Sequence, residues 1–163
     1  MVSQARTSKG KELFHQTAQS WASYLALNPP KPSVKLAQLM VPIYSEGGLN
    51  QPAEAVRVLQ IVVAGKPNSA SLWASLAEYA YKAKNVRIGD LASAKAISLA
   101  PSAQRVRIQK ELSEVKANPT GEKTYTTTTN GKTYVGKLGS NGQLEATEVK
   151  STPSSTGTTS TKK

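Results

Sequence analysis

Few residues in this sequence have types and spacings that could carry out chemistry, and each such motif lacks its usual companions. Gly131-Lys132-Thr133 has the composition of the end of a phosphate-binding loop, but Thr126 stands where the first glycine is required. Ser8 and Lys11 have the spacing of the nucleophile motif of penicillin-binding enzymes, without the further motifs that accompany it. The sequence therefore predicts neither a nucleotide site nor a serine nucleophile.

Residues that bind metals or transfer protons are equally sparse. His15 is the only histidine, Asp90 is the only aspartate, and the chain has no cysteine. The glutamates show no paired spacing with other ligand residues, so neither a metal site nor a two-carboxylate mechanism is indicated. We expect no metal, no cofactor and no catalytic residue, and we do not expect an enzyme.

The elements that would position any site are helices over most of the chain. In the first amphipathic segment Phe14, Ala18 and Trp21 recur at helical spacing, and Asn28-Pro29-Pro30 ends it. Pro42 is expected to kink the second helix. Six helices are predicted within residues 11–118, and they begin near Lys11, Ser33, Pro52, Asn68, Arg87 and Ser102.

After Gly121 the composition changes to threonine and tyrosine, which favour strands. Asn130-Gly131 is a strong hairpin signal, and Asn141-Gly142 repeats it, so residues 122–150 are predicted to form a small β-meander. Its apolar content is low for independent stability. Residues 151–163 are too polar to order and are predicted to be disordered, and residues 1–10 are expected to be flexible.

A repeat is visible in the helical region. Pro67 and Pro101 each close a predicted helix and are 34 residues apart, which is the period of the tetratricopeptide motif. The unit that precedes Pro67 fits the motif less well, since Leu39 and Glu46 stand where tryptophan and tyrosine are expected. The unit from Ala70 to Pro101 resembles a tetratricopeptide repeat through Trp73, Leu76, Ala77, Gly89, Ala96 and Pro101.

The resemblance implies a mainly α fold, an α-solenoid of antiparallel helix hairpins whose neighbours touch at Ala77, Gly89 and Ala96. An ordinary helical bundle is the alternative. The chain also resembles the C-terminal part of bacterial membrane-anchored proteins that carry such repeats. Members of the family hold a protein or peptide in a concave groove, so a non-catalytic scaffold is the function that the resemblance implies.

Carrying the family's groove over to this chain gives a set of candidate partner-binding residues on the second and fourth helices. Tyr44 and Glu78 are 34 residues apart, so they are expected at equivalent places in successive repeats. The alternative is that the tyrosines belong to the core. The predicted groove residues are Met40, Tyr44, Glu78, Tyr81 and Lys82.

The formal net charge of +11 supports a second interpretation, a basic protein that binds nucleic acid or an anionic membrane surface. Aromatic residues do not alternate with these basic residues, which weakens recognition by base stacking. A solvated helix face is the alternative. The candidate basic patch consists of Lys84, Arg87, Lys95, Arg105, Arg107 and Lys110.

Location and assembly are predicted only in outline. The sequence has no run of apolar residues long enough to span a membrane, so the chain as it stands is expected to be cytoplasmic. A membrane-associated or extracytoplasmic location is the alternative, if an N-terminal anchor is missing. Because about two and a half repeats are visible and about three are needed for stability, the N-terminal helix edge is expected to be covered by a partner, by self-association with a second copy, by missing sequence, or by the C-terminal helix and meander.

Overall fold

The computed structural model describes residues 8–121, 123–129, 132–138 and 144–149. It divides into two compact units, residues 1–119 and 120–163. The predictions of disorder at 151–163, of flexibility at 1–7 and of turns at Asn130-Gly131 and Asn141-Gly142 lie outside the described residues. Residues 8–10 are helical, which corrects the prediction of a flexible segment there, because a helix gains a backbone hydrogen bond with each residue it adds.

The first unit is helical, so the prediction of a mainly α fold is confirmed in its coarse form. The helices are α1 (Ser8–Ala26), α2 (Val34–Tyr44), α3 (Pro52–Gly65), α4 (Ala70–Lys82), α5 (Val86–Leu99) and α6 (Ser102–Ala117). None of these described helices combines the length and the apolar character that a membrane span requires.

Local signals explain where the helices begin. The side chains of Ser33, Ser69 and Asn85 each precede a helix and accept a hydrogen bond from the backbone N–H three residues later. Such caps satisfy amide groups that have no partner within the helix. Pro52 starts α3, where the missing amide hydrogen of proline costs nothing. Pro42 lies within α2.

Each helix packs on its neighbours along the chain, and α6 packs on both α4 and α5. Two clusters of buried side chains form the core. One joins Trp21 of α1 to residues of α2 and α3, and the other joins α3 to α4, α5 and α6. Ala77, Gly89 and Ala96, which the sequence predicts to be contact points, are all buried. Small side chains at these points let the helix axes approach closely.

We treat α2 with α3, and α4 with α5, as two successive helix hairpins. Their second helices, α3 and α5, begin and end at a constant sequence separation, and their first helices, α2 and α4, do not. Pro52 and Val86, which start α3 and α5, are 34 residues apart, as are Gly65 and Leu99, which end them. Seven residues connect α2 to α3, whereas three connect α4 to α5. The longer connection shifts α2 relative to the repeat period.

The described residues of the second unit form three strands, β1 (Lys123–Thr129), β2 (Lys132–Leu138) and β3 (Leu144–Val149). They form one antiparallel sheet in the order β1-β2-β3. Gly136 of β2 faces Tyr125 of β1 and Ala146 of β3 in the ladder. These strands occupy the segment for which the sequence predicts a meander.

Candidate functional site

Three of the five predicted groove residues are in the core. Met40, Tyr44 and Tyr81 are buried, which corrects the prediction that they line an open groove. They lie on the faces that α2 and α4 turn toward their partner helices, and burial raises the pKa of the Tyr44 hydroxyl, with a further rise from the charge of Glu54. Tyr44 and Glu78 are also not equivalent, because Tyr44 is buried and Glu78 is half-buried.

The Tyr81 hydroxyl belongs to a network that joins three helices. It donates a hydrogen bond to Oδ1 of Asp90 in α5 over 2.8 Å. Lys116 Nζ of α6 donates to the same oxygen over 2.7 Å and lies 5.8 Å from the centre of the Tyr81 ring. Burial, together with the bond to Asp90 and its charge, raises the pKa of Tyr81 to about 12. Tyr81 therefore ties α4 to α5 and α6.

Glu78 and Lys82 are half-buried and lie at a surface where two hairpins meet. Lys82 Nζ is 2.7 Å from Glu78 Oε1 in the same helix and 2.8 Å from Glu46 Oε1, just after α2. It also lies 5.6 Å from the centre of the Tyr79 ring. We call Glu46, Glu78, Tyr79 and Lys82 the α2–α4 cluster.

The charges in the α2–α4 cluster hold one another in place. Burial lowers the pKa of Lys82, but hydrogen bonds and charges from Glu46 and Glu78 outweigh it and leave the pKa above its ordinary value. Burial also raises the pKa of Tyr79, and the Glu78 charge adds to the rise. The Glu46 side chain remains 64% exposed. Two carboxylates share one ammonium, so the cluster can still accept hydrogen bonds from a partner.

Sequence reasoning identified Glu78 and Lys82 and missed Glu46 and Tyr79. The pairing of Glu78 with Lys82 is visible in the sequence, because a glutamate four residues before a lysine is a favourable helical pair. Whether Glu46 reaches Lys82 depends on the path of the chain after α2, and no local sequence signal predicts that path. Tyr79 packs against both core clusters at their edge, a position that only the fold defines.

The six residues of the predicted basic patch are all exposed, but they differ in their surroundings. Arg107 lies 3.8 Å from Glu111, and Lys110 lies 4.0 Å from Glu114, so these two cations are partly neutralised. Arg105 donates through Nε to the carbonyl of Ala100 over 2.9 Å. Within the described residues Lys84, Arg87 and Lys95 form no ion pair. The patch therefore divides between Arg107 and Lys110, which lie near glutamates of α6, and the other four cations, which form no ion pair among the described side chains.

Among the residues that the structure describes, no three histidine, aspartate or glutamate side chains come close enough together to hold a metal ion. His15 is exposed on α1. Comparison of the chain with protein-family models, with curated protein sequences and with solved structures finds no match.

Proposed function

We propose that this chain is a non-catalytic helical-repeat scaffold that binds a protein or peptide partner at the α2–α4 cluster. One observation carries the proposal. Lys82 of α4 forms an ion pair with Glu46, which follows α2, and the Glu46 carboxylate is still largely exposed. Charged groups from two successive hairpins are thus presented together on one surface.

The regular spacing of α3 and α5 supports a repeat. Residues 34 positions apart on these two helices are buried on both, namely Ala55 and Gly89, Val58 and Ala92, and Val62 and Ala96. The contacts of α6 with both α4 and α5 are those expected if α6 is the first helix of a third repeat that stacks on the second. These features support the proposed α-solenoid of the tetratricopeptide kind. We assign the binding to the helical unit alone and not to the predicted meander at residues 122–150.

The chemistry of the cluster favours a partner with hydrogen-bond donors. Glu46 and Glu78 each keep acceptor capacity beyond their shared contact with Lys82. Arginine or lysine side chains of a partner would add charge-assisted hydrogen bonds there. The half-buried Tyr79 ring offers an aromatic surface beside them, and such rings are common anchors in protein interfaces. A peptide that carries basic residues is the ligand class that follows.

The test is a comparison of proteins captured from a cell lysate by three forms of the chain. The first is the unmodified chain, and the second carries Glu46→Ala and Glu78→Ala. The third carries Glu111→Ala and Glu114→Ala, which remove the same charge from exposed ion pairs of α6. Quantitative mass spectrometry of the captured proteins is expected to show partners that the first and third forms retain and the second loses.

Equal capture of the same proteins by the first and second forms would refute the assignment of the site. A loss of all capture between about 50 and 200 mM salt, with nucleic acid in the eluate, would instead favour electrostatic binding of nucleic acid.

A further inference from the structure

The three-stranded sheet has two outer strands, β1 and β3. Among the described strands, each of them pairs with β2 alone, and no ladder joins β1 to β3. The outward backbone N–H and C=O groups of an outer strand have the spacing that a further β-strand requires. The structure that completes the hydrogen bonding of such an edge is therefore another strand, added alongside it.

The two outer strands differ in the features that normally prevent further pairing. Charged residues, proline and bulges protect the edge of a sheet. β3 carries two charges within its six residues, on Glu145 and Glu148. β1 carries one charge, on Lys123 at its first position, and six uncharged residues without proline follow it. Its register against β2 runs through all seven positions without a bulge, so β1 is the less protected edge.

The composition of β1 suits pairing with a copy of itself. After Lys123 the strand consists of Tyr125 and five threonines, and both residue types have high strand propensity. Threonine facing threonine, and an aromatic residue facing a β-branched one, are favourable pairs across two strands. A three-stranded sheet of low apolar content gains stability from added strands. Two copies of β1 would supply such pairs along their whole length.

Charge selects one register for these two copies. In an antiparallel pair centred on Thr126, that residue faces Thr126 of the second copy, Tyr125 faces Thr127, and Lys123 faces Thr129. The two Lys123 residues then lie six positions apart, or about 20 Å at about 3.4 Å per residue, so salt screens their repulsion. Parallel pairing in register would bring them side by side, and two copies of β3 would bring four glutamates together.

We propose that two copies of this chain associate through antiparallel pairing of their β1 strands, centred on Thr126, to form one six-stranded sheet. Pairing of this kind closes as a two-fold dimer, whereas β1 on β3 of another copy would leave free edges and continue into a fibre. The dimer surface is separate from the α2–α4 cluster.

Cysteine cross-linking tests the register. The chain has no cysteine, so Thr126→Cys adds a single thiol that meets its own copy in this arrangement. Facing residues of an antiparallel pair have Cα atoms about 4.5–5.5 Å apart, a separation that a disulfide spans. Thr147→Cys is the matched control, because Thr126 and Thr147 both face Val135, from β1 and from β3. The full chains are oxidised mildly, and non-reducing electrophoresis measures the cross-linked dimer.

Light scattering over a wide range of protein concentration measures the association itself. The mass of the unmodified chain is expected to rise from one chain to two and to stop there. Thr126→Lys should weaken the dimer about fivefold, because like charges then face each other at its centre, and Thr147→Lys should weaken it less than about twofold. Circular dichroism of each variant verifies that its fold is intact.

Cross-linking of Thr126→Cys and not of Thr147→Cys, with a mass that stops at two chains, would support the proposal. Equal cross-linking of the two variants, no cross-linking of Thr126→Cys, or a mass of one chain at every concentration would overturn it. A mass that grows beyond two chains would instead indicate pairing of β1 with β3 of the next copy. A dimer that Leu39→Lys abolishes and Thr126→Lys leaves intact would assign the association to the exposed face of α2, and would overturn the proposal as well.

Discussion

At the scale of single residues, Gly89 decides how closely α4 and α5 approach. It is buried, and a Cβ built on it would overlap the ring of Tyr81. That ring cannot swing aside easily, because its hydroxyl is bonded to Asp90 and its face is covered by Lys116. The absence of a side chain at Gly89 therefore gives Tyr81 its place in the core.

Gly89→Ala is expected to destabilise the chain despite the better helix propensity of alanine. Overpacking a core costs about 1–3 kcal/mol, and replacing a helical glycine returns about 1 kcal/mol, so the expected net loss of stability is up to about 2 kcal/mol. Urea denaturation followed by circular dichroism measures it. Adding Tyr81→Leu to Gly89→Ala should remove most of the clash, so a purely additive loss in the double variant would contradict this account.

Asp90 should make stability depend on pH. The Lys116 ammonium, with the Tyr81 hydroxyl, holds the pKa of Asp90 below its ordinary value in the folded chain. The unfolded chain therefore binds the proton more readily, and this contribution to stability is fully present above the ordinary aspartate pKa. It is lost as the pH falls through the lowered pKa of the folded state.

The measurement is the free energy of unfolding of the unmodified chain and of Asp90→Asn from neutral to acid pH. We expect the difference between the two to shrink as the pH falls below the ordinary aspartate pKa, and Lys116→Gln should weaken the same dependence. Parallel pH profiles for all three proteins would rule the mechanism out.

At the scale of the elements, side-chain caps fix where the helices begin. Asn85 precedes α5, and its Oδ1 accepts a hydrogen bond from the Ile88 amide over 3.2 Å. Asn85→Ala is expected to cost about 1 kcal/mol, the usual value for a lost cap. Asn68→Ala is the control, since Asn68 is exposed and caps no described helix. Thermal denaturation measures the melting temperatures of both variants. Equal melting temperatures for the two would contradict the assignment of Asn85 as the cap.

The same local signals explain which parts of the fold the sequence predicts well. Prolines, glycines and capping serines act within a few residues, so the starts of α2, α3 and α6 follow from the sequence. Which side of α2 faces the core does not follow from the sequence, because it depends on the seven-residue connection to α3. The motif placed Leu39 at a packing position, yet Leu39 is exposed and Met40 and Tyr44 fill the core. The groove prediction was wrong at Met40 and Tyr44 for this reason, and at Tyr81 because its ring packs against Gly89 of α5.

At the scale of the whole molecule, burial within the helical unit is concentrated in its middle. Six residues of α3 are buried, and those of α4 include Leu76, Ala77, Ala80 and Tyr81. The described part of α1 buries only Trp21, and its backbone comes close to α2 and to no other described helix. Each end of this unit thus contributes less apolar burial than its centre, and the N-terminal helix contributes least.

This arrangement has a consequence for local opening. A helix that buries one indole, and whose Tyr24 hydroxyl accepts a hydrogen bond from the Ser33 amide, is held by less apolar burial than α3 or α4 and can detach while those helices stay folded. Amide hydrogens of α1 should therefore exchange with deuterium by sub-global fraying, well before those of α3 and α4, in a mass-spectrometric time course. Trp21→Ala should speed the exchange of α1 and leave that of α4 almost unchanged. Uniform protection across all six helices would mean that the unit opens only as a whole.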